Sequence, residues 1–265
     1  MKVFFKPKVY LIMRPQLDMA EVARFLAHDM DGQEWTRLEP TTPGEMGCEF
    51  IGRMCYNSFG ERQGRKSTKD YIANLLDHGH GSVLEHANWS FLVTRCTRGY
   101  THQMVRHRAG FSYSQESTHF VEYDPKSARA SLPGFDTGLA DQAAEQCRAI
   151  AAAVDAYAQA LAHVKAHFKD CKDLAAHARK KAACGTARAL LPNAVESKLG
   201  FTANARALRH FLELRGADDN VPEIRMVAAE VIEIMRREAP TVFADFVAYK
   251  ASDGFVALTS RYRKV

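Results

Sequence analysis

The stretch "VRHRAGFSYSQESTHF", Val105–Phe120, sets three basic side chains in a row and follows them with a glycine and a run of hydroxyl and amide side chains. On a helix, successive residues are rotated by about 100°, so Arg106, His107 and Arg108 cannot share one solvated face. At least one of them must point where the surroundings are polar or anionic. A basic triplet at a helix C-terminus also complements the helix dipole and is usually solvated. Against that simpler reading stand Ser112, Ser114, Gln115, Ser117 and Thr118, which follow within ten residues. Guanidinium groups offer planar forks of donors, and hydroxyls with exposed loop amides complete a cradle for phosphate.

The flanks alternate between helical and extended patterns. Upstream, "NWSFLVTR" (88–95) sets Trp89, Phe91 and Val93 against Asn88, Ser90 and Thr94, a half-buried strand. "GYTHQMVRHR" (99–108) reads as a helix ending at Gly110, and "HFVEY" (119–123) as a strand before Pro125. Further out, "KVYLIM" (8–13) is a strand, and helices are expected over 19–30, near 45–59, and over 67–79 with Ser67 as N-cap and Gly79 as stop. "GHGSVLEH" (79–86) is a glycine-punctuated turn. "VESKLGFTAN" (195–204) suits a short strand and turn. Helices then cover 204–215, with Gly216 at the end, and a last segment opened near Pro222 and closed by Pro240.

An alanine-rich helical segment occupies about 139–190. In it Ile150, Val154, Tyr157, Leu161, Val164 and Phe168 recur at alternating spacings of four and three. Such a seam serves either as an oligomer contact or as a helix packed on its own subunit. With no repeat and no low-complexity linker, the expectation is one continuous α/β or α+β unit over 1–265.

The chain has 265 residues, 46% of them hydrophobic and 25% charged, and can bury a substantial core. Its net charge of +5 is too small an excess to argue for nucleic acid, but it suits an anionic small substrate. No apolar run reaches the ~18 residues of a membrane span, and the N-terminus lacks a signal peptide's apolar region, so a cytoplasmic protein is expected. None of Cys48, Cys55, Cys96, Cys147, Cys171 and Cys184 forms a Cys-x-x-Cys pair, which points to reduced, buried thiols.

Six of the eleven histidines lie between His78 and His119, yet no His-Glu-x-x-His occurs and arginines crowd the window. No metal is expected there. In 204–215, Leu208, Phe211 and Leu212 form an apolar stripe that runs by helical spacing from Asn204 to Arg215. An arginine at the end of a core stripe needs a carboxylate, a helix-end carbonyl or a ligand. No glycine-rich dinucleotide fingerprint and no Walker loop occur, so a bound cofactor would not sit on those frames.

In order, the motifs resemble the flavin-dependent thymidylate synthases. Arg106-His107-Arg108, eight residues and Ser117 are similar to the family signature. Gly79-His80-Gly81-Ser82-Val83-Leu84-Glu85-His86 resembles the family's upstream Gly-His-x-Ser/Thr-x-x-Glu-His, and Gln103 lies three residues before the triplet. Arg188 before Leu191-Pro192, Asn204-Ala205-Arg206-Ala207-Leu208 and Leu214-Arg215 complete the set across 79–215.

The resemblance implies a compact domain with a mixed or antiparallel sheet flanked by helices. It implies a homotetramer with FAD at subunit interfaces, NADPH as reductant and methylenetetrahydrofolate as carbon donor. Ser82, Arg106, His107, Arg108, Gln115, Asn204, Arg206 and His210 match flavin contacts. Gln103, Arg106, Gln115, Glu116, Ser117, His119, Arg188 and Arg215 match nucleotide contacts, with Arg215 the catalytic cation.

The family pattern is Ser-x-Arg where this chain has Ser117-Thr118-His119. That departure leaves the nucleotide open between dUMP and UMP or a related nucleotide, and the product between methyl and hydroxymethyl. A nucleic-acid-binding module using the basic segment 95–108 is a reading of a different class, disfavoured by the weak net charge and the lack of RNA motifs.

Overall fold

The computed structural model describes residues 1–134 and 140–263; Leu139, at the start of the expected alanine-rich segment, lies outside the described residues. The elements, in order, begin with β1 (Lys2–Phe4), β2 (Lys8–Met13), α1 (Met19–Asp29), α2 (Pro43–Cys55) and α3 (Thr68–Asp77). They continue with β3 (Asn88–Thr97), α4 (Arg98–Met104), β4 (Phe111–Gln115), β5 (Arg129–Ser131), α5 (Ala140–Lys169) and α6 (Ala176–Ala187). The last are β6 (Glu196–Asn204), α7 (Ala205–Arg215), α8 (Pro222–Glu238), β7 (Val247–Lys250) and β8 (Val256–Thr259). Four strands pair in the order β2–β3–β6–β4; β1 pairs with β5 in parallel, and β7 with β8 antiparallel. This is the expected α/β (α+β) class with mixed strand pairing.

Local chemistry explains most of the boundaries. Side-chain oxygens of Asp18, Thr42, Ser67, Thr97 and Asn204 accept from the first-turn amides of α1, α2, α3, α4 and α7. Pro222 opens α8 at a position where its missing N–H costs nothing.

Three readings need correction. α4 ends at Met104, so the Arg-His-Arg triplet is not helical; the Met104 carbonyl accepts instead from the Tyr113 hydroxyl at 2.8 Å. Residues 111–115, read as polar loop, are strand β4, with Phe111, Tyr113 and Gln115 on the less exposed face. Residues 119–123 are not a strand: the amides of Phe120 and Val121 both donate to the Ser117 carbonyl, at 3.1 and 3.0 Å, and close a turn. The β7–β8 hairpin went unread in the sequence.

The residues group into two compact units. One contains 1–8, 93–106 and 113–200; the other contains 9–92, 107–112 and 201–265. In the first, Ile150 and Val154 pack with Ala128, Ala130, Leu132 and Val195, while Tyr157 and Leu161 pack with Ala183, Cys184 and Ala187. The α5 seam therefore packs largely on its own chain, in keeping with the second of the two readings. None of the six cysteines is in a disulfide, and only Cys48, Cys96 and Cys184 are buried. No helix among the described residues is long and apolar enough to cross a membrane.

In the second unit Leu208, Phe211 and Leu212 are buried with Ile224, Val227, Val231 and Met235 of α8. Three arginines are also buried there: Arg53, Arg209 and Arg225. Each is matched by a carboxylate. Arg53 Nε donates to Glu49 at 2.6 Å, Arg209 forks onto Asp245 at 2.7 and 3.0 Å, and Arg225 forks onto Asp253 at 2.6 and 3.0 Å.

Removing one partner of such a pair strands a buried charge. Asp245→Ala should cost about 3–5 kcal/mol in urea unfolding, whereas Arg209→Met with Asp245→Leu should recover most of the loss. Burial alone would raise the Asp245 carboxyl, but the hydrogen bonds and charge of Arg209 hold it below its ordinary value. The pair's contribution is then complete near neutrality and is lost as pH falls through that lowered value. A double variant no more stable than Asp245→Ala would show that the pair does not act through charge.

Candidate active site

Two clusters carry the residues singled out by sequence, one in each unit. In the second unit the cluster is built where residues 107–112 meet the N-terminus of α7. Gly110 has φ +72°, and a Cβ on it would lie 2.7 Å from both Ala207 Cβ and Asn204 Nδ2. Only glycine meets both demands. The Gly110 carbonyl accepts from the Asn204 amide at 3.3 Å, while Asn204 Oδ1 accepts from Ala207 N at 2.8 Å.

This docking sorts the triplet. His107 is buried, while Arg106 and Arg108 are exposed. The His107 ring lies among Phe111, Phe211 and His210, with centroids 5.8, 5.5 and 6.3 Å away. Arg215, at the last turn of α7, donates from Nε to His107 Nε2 at 2.9 Å and from Nη1 to Asn220 Oδ1 at 3.4 Å. Among the described residues, the hydrogen bonds of this stripe residue go to neither a carboxylate nor a helix-end carbonyl. Its two acceptors are a neutral ring nitrogen and an amide, so its charge is not cancelled by an ion pair.

Accepting at Nε2 places the His107 proton on Nδ1. Burial, then the positive charge of Arg215, then His210, push the imidazole down to about 4. Ser82, Arg108 and His210 are exposed nearby in the chain's second unit, and Arg206 pairs with Glu85 at 2.6 Å. Glu85 lies in the quoted upstream motif, but its partnership with Arg206 was not legible, since 121 residues separate them.

In the first unit the cluster surrounds the turn after β4. Ser117 Oγ accepts from the His119 amide at 3.3 Å. Arg188, exposed at the end of α6, donates from Nη1 to Thr118 Oγ1 at 3.4 Å. Gln115 Nε2 donates to Thr101 Oγ1 at 2.7 Å and to Ser197 Oγ at 3.1 Å, so its amide is committed to neighbouring hydroxyls. Glu116 pairs with Lys198 at 2.5 Å. Arg106 donates from Nη2 to His102 Nε2 at 2.8 Å, and Gln103 lies on α4 between them. Thr118 was among the hydroxyls singled out in the sequence, while Gly185 was missed. The signal for Gly185 was a glycine inside an alanine-rich helix. Among the described residues no three His, Cys, Asp or Glu side chains are placed to hold a metal ion.

The family described as "Thymidylate synthase complementing protein" matches residues 37–241. The chain belongs to that family. It is 41% identical over 217 residues to a "Flavin-dependent thymidylate synthase" of Mycobacterium avium (strain 104), covering 80% of this chain and 83% of the relative. To one of Mycobacterium sp. (strain KMS) it is 36% identical over 257 residues, covering 91% and 98%. The fold is similar to that of a UMP/dUMP methylase PolB from Streptomyces cacaoi, solved with 5-Br dUMP; the TM-score is 0.60 at 21% identity, with 92% of this chain and 96% of that chain covered.

The His107–Arg215 pair has a measurable signature. NMR of the ring nitrogens should show His107 neutral down to about pH 4, and Arg215→Ala should move its titration up towards the ordinary value near 6.5. An unfolded chain takes up a proton near pH 6.5, while the folded ring does not until about 4. Stability should therefore be lost as pH falls across that window. A titration unmoved by Arg215→Ala would mean that the guanidinium does not face the ring.

Proposed function

We propose that this chain is a flavin-dependent thymidylate synthase: it places a one-carbon unit from methylenetetrahydrofolate on C5 of dUMP and completes the methyl group by reduction, yielding dTMP. NADPH is the reductant, FAD the cofactor, and a cytoplasmic homotetramer the working form. Family membership and the curated relatives' names support the activity. The observation that carries the catalytic assignment is Arg215, held by neutral His107 and Asn220 with its charge uncompensated.

The residues suit the chemistry asked of them. Uracil is a poor carbon nucleophile, and its C5 becomes reactive only as negative charge develops on the ring's O4 edge. A guanidinium fixed before that charge appears stabilises it without reorganisation. Two of Arg215's five N–H donors hold it in place, and the others remain for the ring edge. Because His107 is neutral, it anchors Arg215 without drawing off its charge.

Arg108, Arg206, Ser82, Asn204 and His210 form a set of cationic, hydroxyl, amide and imidazole groups that fits a flavin dinucleotide, with His107 beside them. The one carboxylate among them, Glu85, is already paired. Reduced FAD, when bound, supplies the hydride; the protein binds and orients it. Gln103, Arg106, Gln115, Glu116, Ser117, His119 and Arg188 serve the nucleotide. Ser117 binds phosphate rather than attacking the ring, and no cysteine is needed as nucleophile.

The purified protein should show flavin absorbance and should convert dUMP in preference to UMP when both are assayed with methylenetetrahydrofolate and NADPH. Protein that takes up no FAD and turns over neither nucleotide would overturn the reading. Arg215→Ala should lower kcat roughly 100-fold, the scale of one contact to a developing anion, with flavin absorbance retained. Arg215→Lys should restore only part of it, since a point charge does not offer a planar fork. Activity of Arg215→Ala within about twofold of wild type would reduce Arg215 to a dipole-complementing residue.

A further inference from the structure

Gly185 stands inside α6, where alanine would be the better helix former. It faces His119. A Cβ built on Gly185 would lie 3.0 Å from Nδ1 and 3.1 Å from Cε1 of the imidazole. That edge of the ring therefore lies closer to the helix than a Cβ ordinarily tolerates. Nδ1 is buried there and has no hydrogen-bond partner among the described residues, while the residue as a whole is partly exposed.

A neutral imidazole has a single N–H. Leaving that donor buried and unpaired is costly. The tautomer with the proton on Nε2 sets only a lone pair against α6 and frees the donor for a partner elsewhere. The neighbouring groups are arranged alike. Ser117 Oγ already accepts from the His119 amide, so its own hydroxyl proton is available for donation. Arg188 lies three residues beyond Gly185, on the same helix face, and bonds to Thr118.

We propose that Gly185 is a positioning residue for His119, and that the imidazole so held donates from Nε2 to a phosphate oxygen of the nucleotide, beside Ser117 and Arg188. This rests on the nucleotide reading above and adds to it a residue that touches no substrate itself. Gly185 acts by leaving out a methyl group, and the ring edge fills that space.

A double-mutant cycle tests it: Gly185→Ala, His119→Ala and the pair together, in full-length enzyme with FAD. Binding of dUMP and of deoxyuridine, which lacks the phosphate, is measured by calorimetry alongside KM and kcat. Each single variant should weaken dUMP roughly tenfold, the scale of one hydrogen bond to a charged group, while deoxyuridine affinity changes far less. The double variant should be no weaker than His119→Ala, because once the ring is gone the added methyl has nothing to displace. In that background Gly185→Ala should raise Tm, as expected of alanine in a free helix position. Wild-type dUMP affinity in Gly185→Ala, additive losses in the double variant, or equal losses for deoxyuridine would each overturn the proposal. Wild-type enzyme that binds no dUMP would overturn the functional reading itself, and would be seen before any variant is made.

Discussion

The hydrogen bond from Arg215 Nε to His107 Nε2 joins positions 108 residues apart, and much of the second unit is arranged to permit it. The segment 107–112 must lie directly on the start of α7, which requires the absence of a side chain at Gly110. Asn204 must end a strand, cap a helix and donate its amide to Gly110 at once. α7 must then run its eleven residues on a buried stripe, so that its last turn brings Arg215 to the ring. Alter the glycine or the cap, and the cation and the imidazole part company.

Two kinds of arginine are separated by their partners. Arg53, Arg209 and Arg225 are buried and meet carboxylates, and all three also meet backbone carbonyls. Their charge is spent inside the structure, where an unpaired cation would be strongly destabilising. Arg106, Arg108 and Arg188 are exposed, and Arg215, half-buried, has only neutral acceptors among the described residues. Charges left uncompensated are the ones able to act on an anionic ligand. The mild net charge of +5 conceals this division, because it counts both kinds alike.

Caps and apolar stripes were legible because each is settled within a few residues. Ser67 and Pro222 mark helix starts by chemistry their neighbours supply, and the Leu208–Phe211–Leu212 stripe lies on the buried face that its spacing indicates, though Asn204, read as the stripe's first residue, caps the helix instead. Misreadings arose where a distant group decided. α4 stops short of the triplet because the Met104 carbonyl goes to the Tyr113 hydroxyl. The segment 119–123 has the composition of a strand but turns back on the Ser117 carbonyl. In β4 the alternation of aromatic and hydroxyl residues was present, but the serines gave it the look of a loop.

The sequence by itself determined the α/β class, the start of most helices and the ordered motifs that mark the family, since these depend on residue type and short spacing. Only the tertiary structure decided which residue of the triplet turns inward, that Arg215 rests on an imidazole rather than a carboxylate, that the α5 seam is covered by its own chain, and that Gly185 lies against His119. Each of these is a contact between segments far apart in the chain. Local periodicity states which face of an element is apolar, but what meets that face is settled by packing alone.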